Sequence, residues 1–353
     1  MIARQNETGG RDLSALSGGQ VRGRLGERDH VEVDLFKGYG KLSAWNIELE
    51  AGRDSLWLGQ GYRGTLLFSN NAPPLDMLKL SNPTPTVLPW YFSYLGLFKY
   101  TLFGARLDAD RVDFPNPWLF GGRATLKPHP LVELGMTGAL VFGGKGAPSI
   151  GIPGATGQED GLMSLDVRLR LPFLRNAELY AEYGGEDILT DSPYWYEPFM
   201  NQIGWLVGIY FPNIFCDGRT DFRVEYANNA FDRGPGHAGM WYGHAKYLSG
   251  YTFDQMIIGH RMGPDAHDIF TRVTHYLRND LILGLDYERM ERGLTIGLVE
   301  EKSNMFGADA SYDFNSNWRV TVRYGFESVT NFNLLPGEDR DNHLLMTGVK
   351  YIF

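Results

Sequence analysis

The sequence is poor in cysteine, in long apolar runs and in positive charge, and each shortage removes a class of protein. It has one cysteine, Cys216, so no disulfide forms within the chain and no cysteine cluster holds zinc. No apolar run approaches the ~18 residues of a transmembrane helix. Among the 353 residues, 33 Lys and Arg face 42 Asp and Glu, for a formal net charge of −9. Phosphate backbones need a basic face, so nucleic acid is not expected as a partner. The start, Met1-Ile-Ala-Arg-Gln-Asn6, lacks the basic-then-apolar layout of an export signal. No G-x-S-x-G motif occurs, and no serine and histidine sit in a recognisable catalytic setting. GGKGAPSIGIPGATGQ (143–158) superficially resembles a phosphate loop, but Lys145 is followed by Gly146 and no helical pattern comes after it. It reads as an outer loop, and no cofactor is expected.

Aromatics and glycine are abundant. Aromatics make up 14%, and there are 44 glycines, well above the usual share of about 7%. Apolar residues recur with period two. Trp318, Val320, Val322, Tyr324 and Phe326 alternate with Arg319, Thr321, Arg323 and Gly325, and the chain ends on a second such run closing at Phe353. A terminal aromatic at the end of a strand resembles the closing strand of bacterial outer-membrane β-barrels. From Leu97 onward, strands are predicted at about 97–107, 117–127, 131–142, 162–171, 177–185, 203–211, 219–226, 240–247, 251–261, 268–277, 281–290, 304–314, 318–326 and 344–353. Counted back from Phe353, the links alternate long and short, as extracellular loops and periplasmic turns do in such barrels.

The fold expected is all-β: a transmembrane antiparallel barrel of about 18 strands, with 16 as the fallback. Residues 1–29 form a polar segment with at most one strand, around 13–25. Residues 30–353 form the barrel, with Val31–Leu35 a strand, Lys37–Gly40 a turn, a further strand at 41–51 and another at 65–68. Five prolines (Pro73, Pro74, Pro83, Pro85, Pro89) mark 69–91 as an irregular insert, a candidate plug for the lumen.

Facing follows from alternation. Leu165, Val167 and Leu169 oppose Asp166, Arg168 and Arg170. Leu179 and Ala181 oppose Glu178 and Glu182, and Val224 opposes Arg223 and Glu225. A charge on the lipid face at mid-membrane costs roughly 2–4 kcal/mol. Arg123, Asp166, Arg168, Arg170, Glu178, Glu182, Arg223, Glu225, Arg319 and Arg323 are therefore expected to face the lumen. Register across 172–176 places Arg170 opposite Glu178. Glu182 and Glu225 would make a glycosidase pair only if they met in space.

Several stretches together resemble the Wzi family of capsule-assembly outer-membrane proteins. They are GRDSLWLGQGYRGTLLFSNNAPPLDMLKL (52–80), LKPHPLVELGMTGALVFGGKG (126–146), LYAEYGGEDI (179–188), FRVEYANNAF (222–231) and GYTFDQMIIGHRMGPDAHD (250–268). The resemblance spans about residue 40 to the C-terminus. It implies an 18-stranded, non-enzymatic lectin barrel that holds capsular or other exported polysaccharide at the cell surface. It also implies a helical element before the barrel; residues 1–29 show none, which together with the missing export signal leads us to expect an absent or processed N-terminal part. The partners expected are polysaccharide and outer-membrane lipid, for a monomer. The runner-up is a porin-like channel lined by the lumenal arginines, and the third reading is an outer-membrane enzyme.

Candidate sugar contacts lie in SPYWYEPF (192–199). Tyr194, Trp195 and Tyr196 offer faces for pyranose rings, with Asp187, Asp191 and Glu197 as hydroxyl acceptors. The competing reading is a membrane-interface girdle or lumen packing. Both readings extend to Trp241 and Tyr242, with the girdle favoured; Trp57 is read as structural. His260, Asp265, His267 and Asp268 share a loop, but their spacing matches no metal motif, and a polar loop with an Asx-type turn is the reading adopted.

Overall fold

A computed structural model of the chain describes residues 14–25, 31–147, 159–186, 203–215, 218–230, 241–296 and 299–351. Its strands are β1 (Ser14–Leu25), β2 (Val31–Ala44), β3 (Ile47–Asp54), β4 (Leu75–Ser81), β5 (Thr86–Val87), β6 (Leu97–Arg106), β7 (Trp118–His129), β8 (Val132–Phe142), β9 (Asp160–Leu171) and β10 (Ala177–Glu186). They continue as β11 (Ile203–Phe211), β12 (Thr220–Asn228), β13 (Thr252–Phe253), β14 (Met256–Ile257), β15 (Ala266–Arg278), β16 (Leu281–Arg292), β17 (Glu301–Asp313), β18 (Trp318–Thr330) and β19 (Arg340–Tyr351). Leaving out the two-residue strands β5, β13 and β14, sixteen long strands form one antiparallel meander in which each pairs with the next. Among the described residues no pairing joins β1 to β19.

The count is therefore the lower of the two expected. The difference lies in 240–261, where two strands were predicted and none crosses the wall. Trp241, Tyr242, Tyr247 and Tyr251 are buried irrespective of parity, and the segment folds into the lumen with only the small β13–β14 hairpin as regular structure. Two false strands cancel in a parity argument, which is why the alternation of link lengths stands.

Three other expectations change. Lys37–Gly40 is not a turn. β2 runs through it, helped by a bulge opposite Gln20 and Val21 that absorbs one residue. The turn falls at Trp45 and Asn46, both with left-handed φ. Residues 65–68 form no strand beyond a single bridge between Leu58 and Phe68. The proline-rich stretch is not one irregular insert, because β4 fits between its prolines and pairs with β3 and β6. The segment that fills the lumen is instead 55–74, joined by 241–265.

The two faces of the wall differ as membrane physics requires. Exposed residues on alternating positions are apolar: Leu78, Leu102, Phe120, Leu134, Met136, Leu165, Leu285 and Phe306 all point outward. A sheet bathed in water would not keep such a band; lipid accounts for it. The inward positions include Asp166, Glu182, Glu225, Asp286 and Glu288, all buried.

Short links (45–46, 130–131, 172–176, 279–280, 314–317) gather at one end, and long ones at the other. In outer-membrane barrels the long end is extracellular. Two short-end links are longer: 212–219, and 82–96, which carries a 3-10 turn, Trp90–Leu95, with Trp90, Tyr91 and Tyr94 almost fully exposed.

Candidate functional site

The inward segment is a tight loop whose neck is closed by the Leu58 N–H donating to the Phe68 carbonyl at 3.0 Å. Its tip, Gly59–Gly64, lies in mid-lumen with its N–H groups turned toward the wall. Buried N–H groups need acceptors, and the carboxylates of Glu182 on β10 and Glu225 on β12 supply them. Glu182 Oε1 accepts from Gln60 N (2.5 Å) and Gly61 N (2.7 Å), and its Oε2 from Leu66 N (2.9 Å). Glu225 accepts from Tyr62 N (2.7 Å), Arg63 N (3.0 Å) and the Tyr180 hydroxyl (2.8 Å). Glu288 takes Arg63 Nε at 2.7 Å and also Arg261 from the second inward segment. Gln60 Nε2 reaches Asp166 at 2.9 Å, and Asp166 is held in turn by Arg123 at 2.8 Å.

Glycine is required at the tip by close approach. A Cβ on Gly61 would collide with the Gly64 carbonyl, and one on Gly64 with the His260 ring. We expect Gly61→Ala to unseat the tip and lower the urea midpoint of unfolding measurably, because the obstacle is backbone and cannot yield.

Above the tip the two segments share an apolar core. Phe68 packs edge-on against Phe103 of the wall (5.0 Å between centroids) and against Tyr251 (5.9 Å). Trp241 and Tyr242 are 1% and 2% exposed. Their expected role as girdle or sugar-contact residues is thus corrected: the Tyr242 hydroxyl donates to the Leu66 carbonyl and accepts from His260 N at 2.8 Å. Both residues hold the plug and are out of reach of a ligand.

His260 is buried at the centre of this contact, its Nδ1 accepting from Met262 N at 3.3 Å. Burial, and then the nearby Arg261 and Arg63, push its pKa down to about 3. An unfolded histidine titrates near 6.5. Below that pH the unfolded chain binds a proton that the folded one refuses, so this contribution to stability is complete above about 6.5 and is lost as pH falls toward 3. Urea midpoints at pH 7.5 and 5.5 should differ, and His260→Gln should shrink the difference.

The other loop residues hold structure. The Asp265 carboxylate accepts from Thr295 N, Thr295 Oγ1 and Ile296 N. His267 pairs with Glu291 at 3.2 Å. Asp268 is buried. Among the described residues no cluster of His, Cys, Asp and Glu has metal-site geometry.

Between the tip and the β15–β18 wall lies a cavity of about 420 Å³. Its aromatic faces are Trp57, Tyr62 and Phe270, and its polar groups include Asn70, Asn71, Arg63 and Arg261. Tyr62 and Phe270 lie 5.9 Å apart at 32°. The guanidinium of Arg223 stacks over Tyr62 at 4.3 Å and leaves the other face of the ring to the cavity. The floor is a square of charges: Arg272 bridges Asp286 (2.9 Å) and Asp309 (2.8 Å), and Arg323 bridges the same two (2.8 and 3.1 Å). Arginines so matched are held rigid and keep few donors for mobile anions; rigid forks and flat rings suit a neutral polyol.

The remaining predicted lumen charges fall near the short-link mouth. Register does set Arg170 opposite Glu178, but the ion pair forms between Arg168 and Glu178 at 3.2 Å, and Arg170 is exposed. Arg319 pairs with Asp313 at 2.5 Å. Arg168 also donates to the Gln60 carbonyl at 3.3 Å. Glu182 and Glu225 are both committed to plug N–H groups, so these two do not form the carboxylate pair that glycoside hydrolysis would need. Asp187, Asp191, Tyr194, Trp195, Tyr196 and Glu197 lie outside the described residues, as do Cys216 and Phe353.

A profile of the family described as capsule assembly protein Wzi matches residues 5–344. The chain belongs to the Wzi family. A Klebsiella pneumoniae protein, an uncharacterized 55.8 kDa protein in the cps region, is 27% identical over 113 residues. That match takes in 31% of this chain and 22% of the Klebsiella protein, so the chain spans about a fifth of that relative's length. Among solved structures, Wzi of Escherichia coli matches with a TM-score of 0.76 at 19% identity, over 96% of this chain and 78% of that one. It is described as a carbohydrate-binding β-barrel involved in group 1 capsule assembly. OccK10 (OpdN) of Pseudomonas aeruginosa follows at 0.53 and 9% identity, covering 98% of this chain and 91% of its own. At these identities both likenesses speak for the fold.

Proposed function

We propose that this Wzi-family chain is a non-enzymatic outer-membrane barrel that binds exported polysaccharide of the capsular kind and holds it at the cell surface. One observation carries the reading: inward segments pack the lumen, and between them and the β15–β18 wall lies a cavity walled by aromatic faces and fixed polar groups. Pyranose rings present C–H faces to aromatics and hydroxyls to a polar rim. The likeness to a carbohydrate-binding barrel supports it. So does the committed state of Glu182 and Glu225, which weighs against hydrolysis. The channel reading loses ground because the path is occupied. Tyr194, Trp195 and Tyr196, in the link between β10 and β11 at the long-link end, are proposed as outer contacts on the same glycan.

The test is binding of the purified, detergent-solubilised protein to a panel of capsular and exopolysaccharide fragments, with Tyr62→Ala and Trp195→Ala alongside. Losing a stacking face is worth about 1 kcal/mol, roughly fivefold in affinity. Saturable binding weakened by Tyr62→Ala places the site in the cavity. Weakening by Trp195→Ala alone moves it to the outer loop. A folded barrel that binds no glycan refutes the proposal.

A further inference from the structure

The outer wall carries a feature that polysaccharide binding does not use. On β6, β7 and β8 the outward positions Gly104, Gly122 and Gly138 thin the wall, with Gly122 directly opposite Gly138. Phe120 and Leu102 lie over the first two of these glycines, whereas nothing comes nearer than 4.0 Å to the place of a Cβ on Gly138. The result is a hollow of about 910 Å³ rimmed by Leu80, Leu102, Trp118, Phe120 and Leu140. Its apolar lining faces the bilayer, and the hollow is wide enough for a hydrocarbon chain.

At its long-link edge stands Arg106, exposed, the last residue of β6, with its guanidinium 4.3 Å over the Trp118 ring. The neighbouring outward carboxylate, Asp76, is already taken by Arg53 in a two-point pair (2.8 and 2.6 Å). Among the described residues Arg106 makes no ion pair, so its charge stands unmatched at the rim of an apolar groove. A bilayer-facing arginine at headgroup height is matched by an anionic headgroup, and phosphate suits its planar fork.

We infer that Arg106 and the groove above Gly138, beside Leu102, form a binding site for one phosphorylated, acylated lipid of the outer leaflet. Arg106 holds a phosphate and the groove holds an acyl chain. The guanidinium is fixed in place by Trp118, and Phe120 flanks the chain. The site lies on the opposite face of the wall from the lumen cavity and does not depend on the polysaccharide reading.

The experiment is native mass spectrometry of the full chain in detergent micelles, titrated with bisphosphorylated lipid A. We expect one equivalent to be retained. Arg106→Glu should lower its occupancy at least tenfold, and Gly138→Phe, which fills the groove where there is room for a side chain, at least fivefold. Arg106→Lys should keep part of the binding. Circular dichroism and an unchanged shift in gel mobility on heating show that each variant is folded. Inorganic phosphate at millimolar concentration should not displace the lipid. Retention that survives Arg106→Glu, or is equal for the lipid without phosphates, overturns the assignment. Displacement by inorganic phosphate, or indifference to Gly138→Phe, overturns the acyl half of it.

Discussion

Glu182→Ala should release the inward segment while leaving the wall standing. Three backbone N–H groups, those of Gln60, Gly61 and Leu66, converge on this one buried carboxylate. Each buried donor left without an acceptor costs about 1–3 kcal/mol. Alanine also removes a buried charge that was itself costly to desolvate, which offsets part of the loss. The net effect expected is a destabilisation of the plug by about 3 kcal/mol, among the larger effects a single substitution produces. The wall should persist, because its strands pair along their whole length independently of the tip. Limited trypsinolysis separates the two: Arg63 and Arg261 are pinned on Glu288 in the native protein and become cleavable once the segment leaves. Glu182→Gln, which keeps one strong acceptor oxygen, should fall between wild type and alanine. A Glu182→Ala protein as resistant as wild type would show that Glu225 and Glu288 suffice, and the fastening described above would be wrong.

The second large effect is electrical. Wild-type protein in planar bilayers should show no steady conductance, because the inward segments and the salt-bridged floor fill the path. Leu58 and Phe68 are already bridged, so residues 59–67 can be replaced by a short Gly-Ser link without straining the neck. That variant should open stepwise channels, smaller than those of an empty sixteen-stranded barrel because 241–265 and the charged floor remain in the lumen. The change is from closed to open and far exceeds any point substitution. Steady porin-like current from the wild type would revive the channel reading.

Much of the wall was legible in the sequence, and most of its contents were not. Alternation alone separated Leu165 and Leu179 from Asp166 and Glu182, because a lipid face and a polar lumen impose opposite demands on neighbouring residues. Link parity located the two ends. The limit appeared where the same aromatic-rich alternation served another purpose: Trp241, Tyr242 and Tyr251 are buried from all sides in a folded-in loop, and periodicity cannot tell that from a strand. The short spacing of Gly59, Gly61 and Gly64 around Gln60 and Arg63 was a signal of crowded backbone, and in hindsight the only local mark of the tip. The charge square could have been found. With the turns at 279–280 and 314–317 in hand, register sets Arg272 against Asp286 and Asp309 against Arg323. What no register shows is that all four meet, since that depends on side chains crossing from one strand pair to the next.

The most direct test of the central claim is made on cells. In the producing strain with its own copy deleted, plasmid-borne wild type and Tyr62→Ala should be compared for the fraction of polysaccharide retained on the cells against that shed into the medium, at equal barrel expression. Wild type should restore retention, and Tyr62→Ala should leave a larger share in the medium. Retention that is the same with wild type, with Tyr62→Ala and with no copy at all would contradict the account.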